Sequence, residues 1–186
     1  MTITSDDLRA VLPAVSRDRK APAALRAVLV ERAGDVLRVV ATDRHRLVVH
    51  ERPVTGDDPE RALLDPDTLE PVTDASADDF PPYERLLAAD PDAAGATADP
   101  AALLDTLEAM ADDDAPLGVI VENGAVHLGA DASVFVDAQY LHDALVAAGG
   151  DEVVVEIGGP TSAIAVRSAH VVTILMPVRV ATPRRS

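Results

Sequence analysis

Cysteine and tryptophan do not occur in this 186-residue sequence, and lysine occurs once, at Lys20. With no cysteine, disulfides, thiolate metal sites and cysteine nucleophiles are all excluded. The aromatics are two phenylalanines and two tyrosines (Phe80, Phe135, Tyr83, Tyr140), so a core has to be assembled from Leu, Val, Ile and Ala. No apolar run approaches the roughly 20 residues of a membrane-spanning helix. The opening "MTITSDDLRAVLPAV" carries acids where a signal peptide carries bases. A cytoplasmic protein that makes no use of membranes is expected.

Positive charge is also scarce. Sixteen basic residues face 32 acidic ones, for a formal net charge of −16. Such a molecule repels polyanions at long range, and any nucleic-acid binding would rest on a local basic patch. Hydrophobic residues make up 48% of the chain, which excludes disorder, and the length suits one medium domain or two small ones.

A recurring pattern organises the chain: a short apolar strand, a polar cap, then an amphipathic stretch. "MTIT" leads to Ser5 as cap, with Leu8, Val11, Leu12 and Val15 at helical spacing. "ALL" leads to Asp65, Pro66 and Leu69, predicting a second helix. "GATAD" leads to Asp99, Pro100 and the stripe Leu103, Leu104, Leu107, Met110. "SVFV" leads to Asp137, then Tyr140, Leu141, Ala144, Leu145 and Ala148, stopped by Gly149 and Gly150. Caps, prolines and terminal glycines stand where helix ends favour them. Pro13 and Pro71 are expected to kink or end the first two helices. Hairpins are predicted about Ala33-Gly34-Asp35, about Asn123-Gly124 and about Gly158-Gly159-Pro160. "HVVTILMPVRV" closes the chain as an apolar strand. The result is an α+β protein in which antiparallel sheets back a set of helices. The stretch 74–92, rich in Pro, Asp and Ala, supports a division into residues 1–86 and 87–186.

No catalytic group, metal or cofactor is expected. Asp43 and His45 sit two apart with no serine or second carboxylate near them, and a turn is the plainer use of Asp43. "ADDDA" (111–115) lacks the glycine and distal glutamate of a calcium loop, and "GGPTS" lacks the lysine and helix of a phosphate-binding loop. His50, His127, His142 and His170 have no ligand spacing.

Four segments, "VLRVVATDRHRLVVHE", "DFPPYERLL", "SVFVDAQYLHDALVAAGG" and "ILMPVRV", resemble in order the second and third domains of the bacterial sliding clamp, the β subunit of DNA polymerase III. The resemblance implies a clamp fold and a non-catalytic role in DNA replication or repair. It also implies a pocket that receives clamp-binding-motif peptides of polymerases or repair proteins. Carried over by position, Thr42, His45, Arg46 and Leu47 come from the first segment and Pro81, Arg85 and Leu86 from the second. Asp137 and Tyr140 come from the third, and Ile174, Leu175, Met176, Pro177, Val178 and Arg179 from the last. Leu47, Ile174, Leu175, Met176 and Val178 would form an apolar floor, with Arg46, Arg85 and Arg179 at the rim. Two departures stand out: Arg44 occupies a position usually held by glycine, and Asp137 one where asparagine is common. The chain is also far shorter than a three-domain clamp.

Clamps hold DNA through basic groups on their helices. Here only Arg9, Arg17, Arg19 and Lys20, with the tail "RVATPRR", are locally basic and could contact DNA. The segments 65–74, 99–114 and 137–151 carry acids alone, so DNA encirclement is expected to be weak or lost. Two alternatives remain open: a working processivity clamp assembled as a homo-oligomer, for instance a trimeric ring, and a small-molecule effector sensor coupled to a transcription regulator.

Overall fold

A computed structural model describes residues 3–54, 61–88, 90–110, 116–129, 132–159 and 161–180. Four features of the sequence fall outside these residues: the start of the first expected strand, the acidic run 111–115, Pro160 and the basic tail 181–186.

An eight-stranded antiparallel sheet organises the molecule. Its first half is β1 (Val28–Ala33), β2 (Val36–Thr42), β3 (Arg46–Pro53) and β4 (Arg61–Leu64). Its second half is β5 (Ala94–Ala98), β9 (Val153–Ile157), β10 (Ile164–Arg167) and β11 (Val171–Leu175). The spatial order is β4-β1-β2-β3-β11-β10-β9-β5, so the sheet runs unbroken from the N-terminal to the C-terminal half. The seam is the β3–β11 pair, with Leu47 opposite Ile174 and Val49 opposite Val172. A three-stranded sheet of β6 (Leu117–Glu122), β7 (Ala125–Leu128) and β8 (Val134–Val136) completes the second half.

Strand alternation gives the large sheet two buried faces. On one face, Val28, Val30, Val39 and Val48 pack with α1 (Ser5–Val11) through Ala10 and Val11. Farther along, Val155, Ile164, Val166 and Leu175 pack with α3 (Pro100–Met110), α4 (Ala138–Ala148) and the small sheet. On the other face, Leu29, Val40, Leu47, Val49 and Ile174 lie under the 3₁₀ turn Ala23–Arg26 and the segment around Phe80, Tyr83 and Leu87. Phe80 and Tyr83 meet edge to face, with ring centroids 6.2 Å apart. The Tyr83 hydroxyl donates to Glu31, and burial together with that carboxylate raises its pKa.

The three hairpins and the third and fourth helices form as expected. Asn123 and Gly124 supply the two positive φ values of a tight turn. Asp137 caps α4 by accepting from the amides of Gln139 and Tyr140 at 2.9 and 3.2 Å. Leu103 and Leu107 of the third stripe are buried, whereas Met110 is exposed.

Two expectations fail. Thr4, not Ser5, caps α1, and it pairs reciprocally with Asp7 in a capping box, while Ile3 and Thr4 belong to no strand. The second helix does not form. Asp65 instead accepts from the amides of Asp67 and Thr68, both at 2.9 Å, and Leu69 adopts φ 59°. "DPDTLEPVTD" offers one large apolar residue before Pro71, too little to bury a helical face. The chain turns back along β4 instead, with Pro71 bridging Leu64 and the Val72 amide donating to the Leu63 carbonyl at 3.0 Å. The acids of 65–74 are therefore not on a helix. Pro13 does end α1, which runs into a 3₁₀ turn over Leu12–Ala14.

Candidate functional site

The turn between β2 and β3 fixes the site. The Asp43 carboxylate accepts from the amides of His45 and Arg46, each at 3.0 Å. The Thr42 hydroxyl donates to the Arg46 carbonyl at 2.6 Å and accepts from the Arg44 amide at 3.2 Å. These bonds hold Arg44 at φ 79°, in the left-handed region that disfavours a side chain. From β11 the Met176 amide donates to the His45 carbonyl at 2.8 Å, and the chain beyond it is tied by Val178 to the Phe135 carbonyl at 2.8 Å. The first and last resemblance segments thus lie side by side.

Arg46 is the hub. Its Nε lies 3.1 Å from Asp43 Oδ2 and its Nη1 donates to Asp143 Oδ2 at 2.5 Å. Nη2 donates to the Pro13 carbonyl, and the guanidinium carbon stands 4.2 Å from the centroid of the Tyr140 ring. The side chain is 10% exposed. Each nitrogen of the guanidinium has an acceptor, so Arg46 joins α1's end, the 43–46 turn and α4 instead of forming a free rim. Burial first, then Asp43, raises the Tyr140 pKa, with Arg46 acting against them.

An open groove of about 870 Å³ runs beside this hub. Leu12, Pro13, Val15 and Leu25 give it apolar walls, Tyr140 and His45 an aromatic side, and Arg9, Arg17, Lys20 and Arg44 cationic groups. Three of the residues expected in a peptide pocket (His45, Arg46, Tyr140) and three of those expected near DNA (Arg9, Arg17, Lys20) thus line one cleft. Arg19 is exposed but is not part of its lining.

Other expected residues lie elsewhere. Leu47, Ile174 and Leu175 are 3%, 3% and 0% exposed, with Leu47 and Ile174 on one sheet face and Leu175 on the other. They make the frame, and a shared apolar floor does not exist in this conformation. Thr42 is buried in the turn and Asp137 is engaged as a cap. Pro81, Arg85 and Leu86 are exposed on and beside α2 (Glu84–Leu87). Met176 and Arg179 are exposed, and Pro177 and Val178 half-buried, past the end of β11. Sequence reasoning did not find the part played by 12–25, nor Asp143. One signal was available for Asp143: it stands three residues after Tyr140, on the same helical face.

Strands, helices and their order together define a clamp-type α+β architecture. Comparison with solved structures gives that architecture its particular fold, the bacterial sliding clamp. The chain is similar to the DNA polymerase III β subunit of Pseudomonas aeruginosa, with TM-score 0.79 and 17% identity over 94% of this chain and 63% of that one. Against the β chain of Streptococcus pneumoniae the values are 0.78 and 14%, over 94% and 62%. Against the C. crescentus β sliding clamp they are 0.76 and 19%, over 94% and 62%. The chain therefore spans less than two thirds of the length of these proteins, and at such identities the likeness is one of fold. No family model and no curated protein matches the sequence.

Proposed function

We propose that the protein is a non-catalytic, clamp-like docking module of DNA replication or repair that receives linear peptide motifs of polymerases or other clamp partners. The observation that carries this reading is the Met176–His45 backbone pairing. It sets the segment 176–179, in which Met176 and Arg179 are exposed, beside the 43–46 turn. Exposed Met176 supplies an adaptable apolar contact, and the Arg46 hub fixes the wall it works against. Leu86 and Arg85 on the 81–86 segment are proposed as further contacts.

DNA encirclement is secondary in this proposal. α3 carries Asp105 and Glu108 with no base, and α4 carries Asp143 with no lysine or arginine. Phosphate contacts from these helices would be few, and affinity for DNA scales with such contacts.

A fluorescent clamp-binding-motif peptide tests the proposal. Micromolar binding is expected, with Met176→Asp weakening it roughly tenfold or more, as for a central anchor, while the thermal midpoint stays put because Met176 is 44% exposed. Equal affinity of the two proteins would remove the assignment.

A further inference from the structure

With acids outnumbering bases two to one, an exposed arginine on this surface has carboxylates within easy reach. Arg26, Arg32, Arg38, Arg61 and Arg167 each have one within 4 Å. Among the described residues, the side chains of Arg17, Arg19, Lys20 and Arg44 have none. Three of these four line one groove beside Tyr140. Arg85 and Arg179, the other unpaired arginines among the described residues, belong to the segments already proposed for partner docking. Free cations are concentrated where a partner would sit.

The carboxylates in the groove are already engaged. Asp43 and Asp143 are taken up by Arg46, and Asp18 accepts from the Lys20 amide at 2.9 Å. Arg44 carries a second signature, since its φ of 79° places a long side chain where the backbone favours glycine. Strain of that kind clusters at functional positions.

From this arrangement we propose that the groove selects an acidic linear peptide, with Arg17, Lys20 and Arg44 pairing its carboxylates and Leu12 and Pro13 receiving its apolar residues. The inference rests on the docking reading above and names the class of peptide. A nucleic-acid strand fits less well. The groove offers one tyrosine for stacking where strand-binding surfaces use several aromatics, and α3 and α4 carry acids without lysine or arginine. Electrostatic complementarity of this sort fixes partner choice more than raw affinity.

Two fluorescent peptides of identical apolar sequence, one flanked by Asp and Glu and the other by Asn and Gln, are titrated against the full chain. The acidic peptide is expected to bind about tenfold tighter, the sum of a few exposed pairs. Arg44→Gly and the double variant Arg17→Ser/Lys20→Ser should each shrink that ratio severalfold while the protein stays folded. Arg44→Gly guards against misfolding, since glycine suits the backbone there. Equal binding of the two peptides, or a ratio untouched by the variants, overturns the selection while leaving docking intact. No binding of either peptide overturns docking as well. Displacement of the acidic peptide by a single-stranded oligonucleotide, dependent on the same cations, would make the groove a nucleic-acid surface and end the proposal.

Discussion

The two halves of the large sheet are built alike and supported differently. Each contributes four strands. The second half is backed by α3, α4 and a second sheet in one apolar cluster. On that same face the first half has the short helix α1, and its attachment is partly ionic. Asp7 is fully buried on α1, with Arg52 Nε 3.0 Å from its Oδ1 and the Thr4 amide donating to Oδ2 at 2.6 Å. His50 Nδ1 lies 3.1 Å from the same carboxylate without hydrogen-bond geometry. Apolar burial tolerates small changes, but a buried charge does not tolerate the loss of its partner. The first half is thus the more fragile one, and it carries most of the groove.

Asp7→Ala gives the largest expected effect. It removes the buried carboxylate that contacts Arg52 and the Thr4 amide, and with it half of the capping box. A loss of about 2–3 kcal/mol follows, with a fall of about 5–10 °C in the melting midpoint for a chain of this size. Hydrogen exchange should rise in β1, β2 and β3 while β9 and β10 stay protected. Equal loosening of all five strands would show that the sheet opens as one unit and that the halves do not differ in this way.

Acid should distinguish the halves next. Burial lowers the His50 pKa from its ordinary 6.5, with His170 and Arg52 adding to it and Asp7 and Asp6 opposing. The folded state therefore binds fewer protons than the unfolded chain, and stability is lost as pH falls below 6.5. Burial alone would raise the Asp7 pKa, but the Thr4 amide and hydroxyl and Arg52 lower it below 3.8, so a second loss follows as pH falls further. In the second half the shifted group is the Tyr140 phenol, moved upward and outside this range. Protection factors measured at pH 7 and pH 5.5 should fall in β1–β3 first, and His50→Asn should reduce that fall. A uniform fall would count against the contrast.

These contacts also show how far the sequence could be read. Caps, prolines and glycines are local signals, so α3, α4 and the three hairpins were legible from them. The same signals misled at 65–74, where Asp65-Pro66 resembles a helix start but Leu69 alone gives the helix nothing to bury against. The candidate site was legible in its adjacency, because His45 pairs with Met176 and its ring lies 6.4 Å from that of Tyr140. It was not legible in its roles. Arg46 and Asp143 are 97 residues apart, and only the β3–β11 seam makes one the partner of the other. Leu47 and Leu175 likewise read as groove residues until strand alternation sends them to opposite faces of a covered sheet.

The smallest expected effect concerns Arg44 and has the opposite sign. A side chain at φ 79° costs about 1–2 kcal/mol of backbone strain, whereas glycine in its place costs about 0.5–1 kcal/mol in unfolded-chain entropy. Arg44→Gly should therefore gain about 0.5 kcal/mol, which raises the melting midpoint by about 1–2 °C. The turn itself should persist, because the bonds around position 44 come from its own amide and from Thr42, Asp43 and Arg46. A lower midpoint would mean that the guanidinium holds the turn together. It could then no longer be counted among the free cations of the groove, and the first half would owe its stability to one more charge than Asp7.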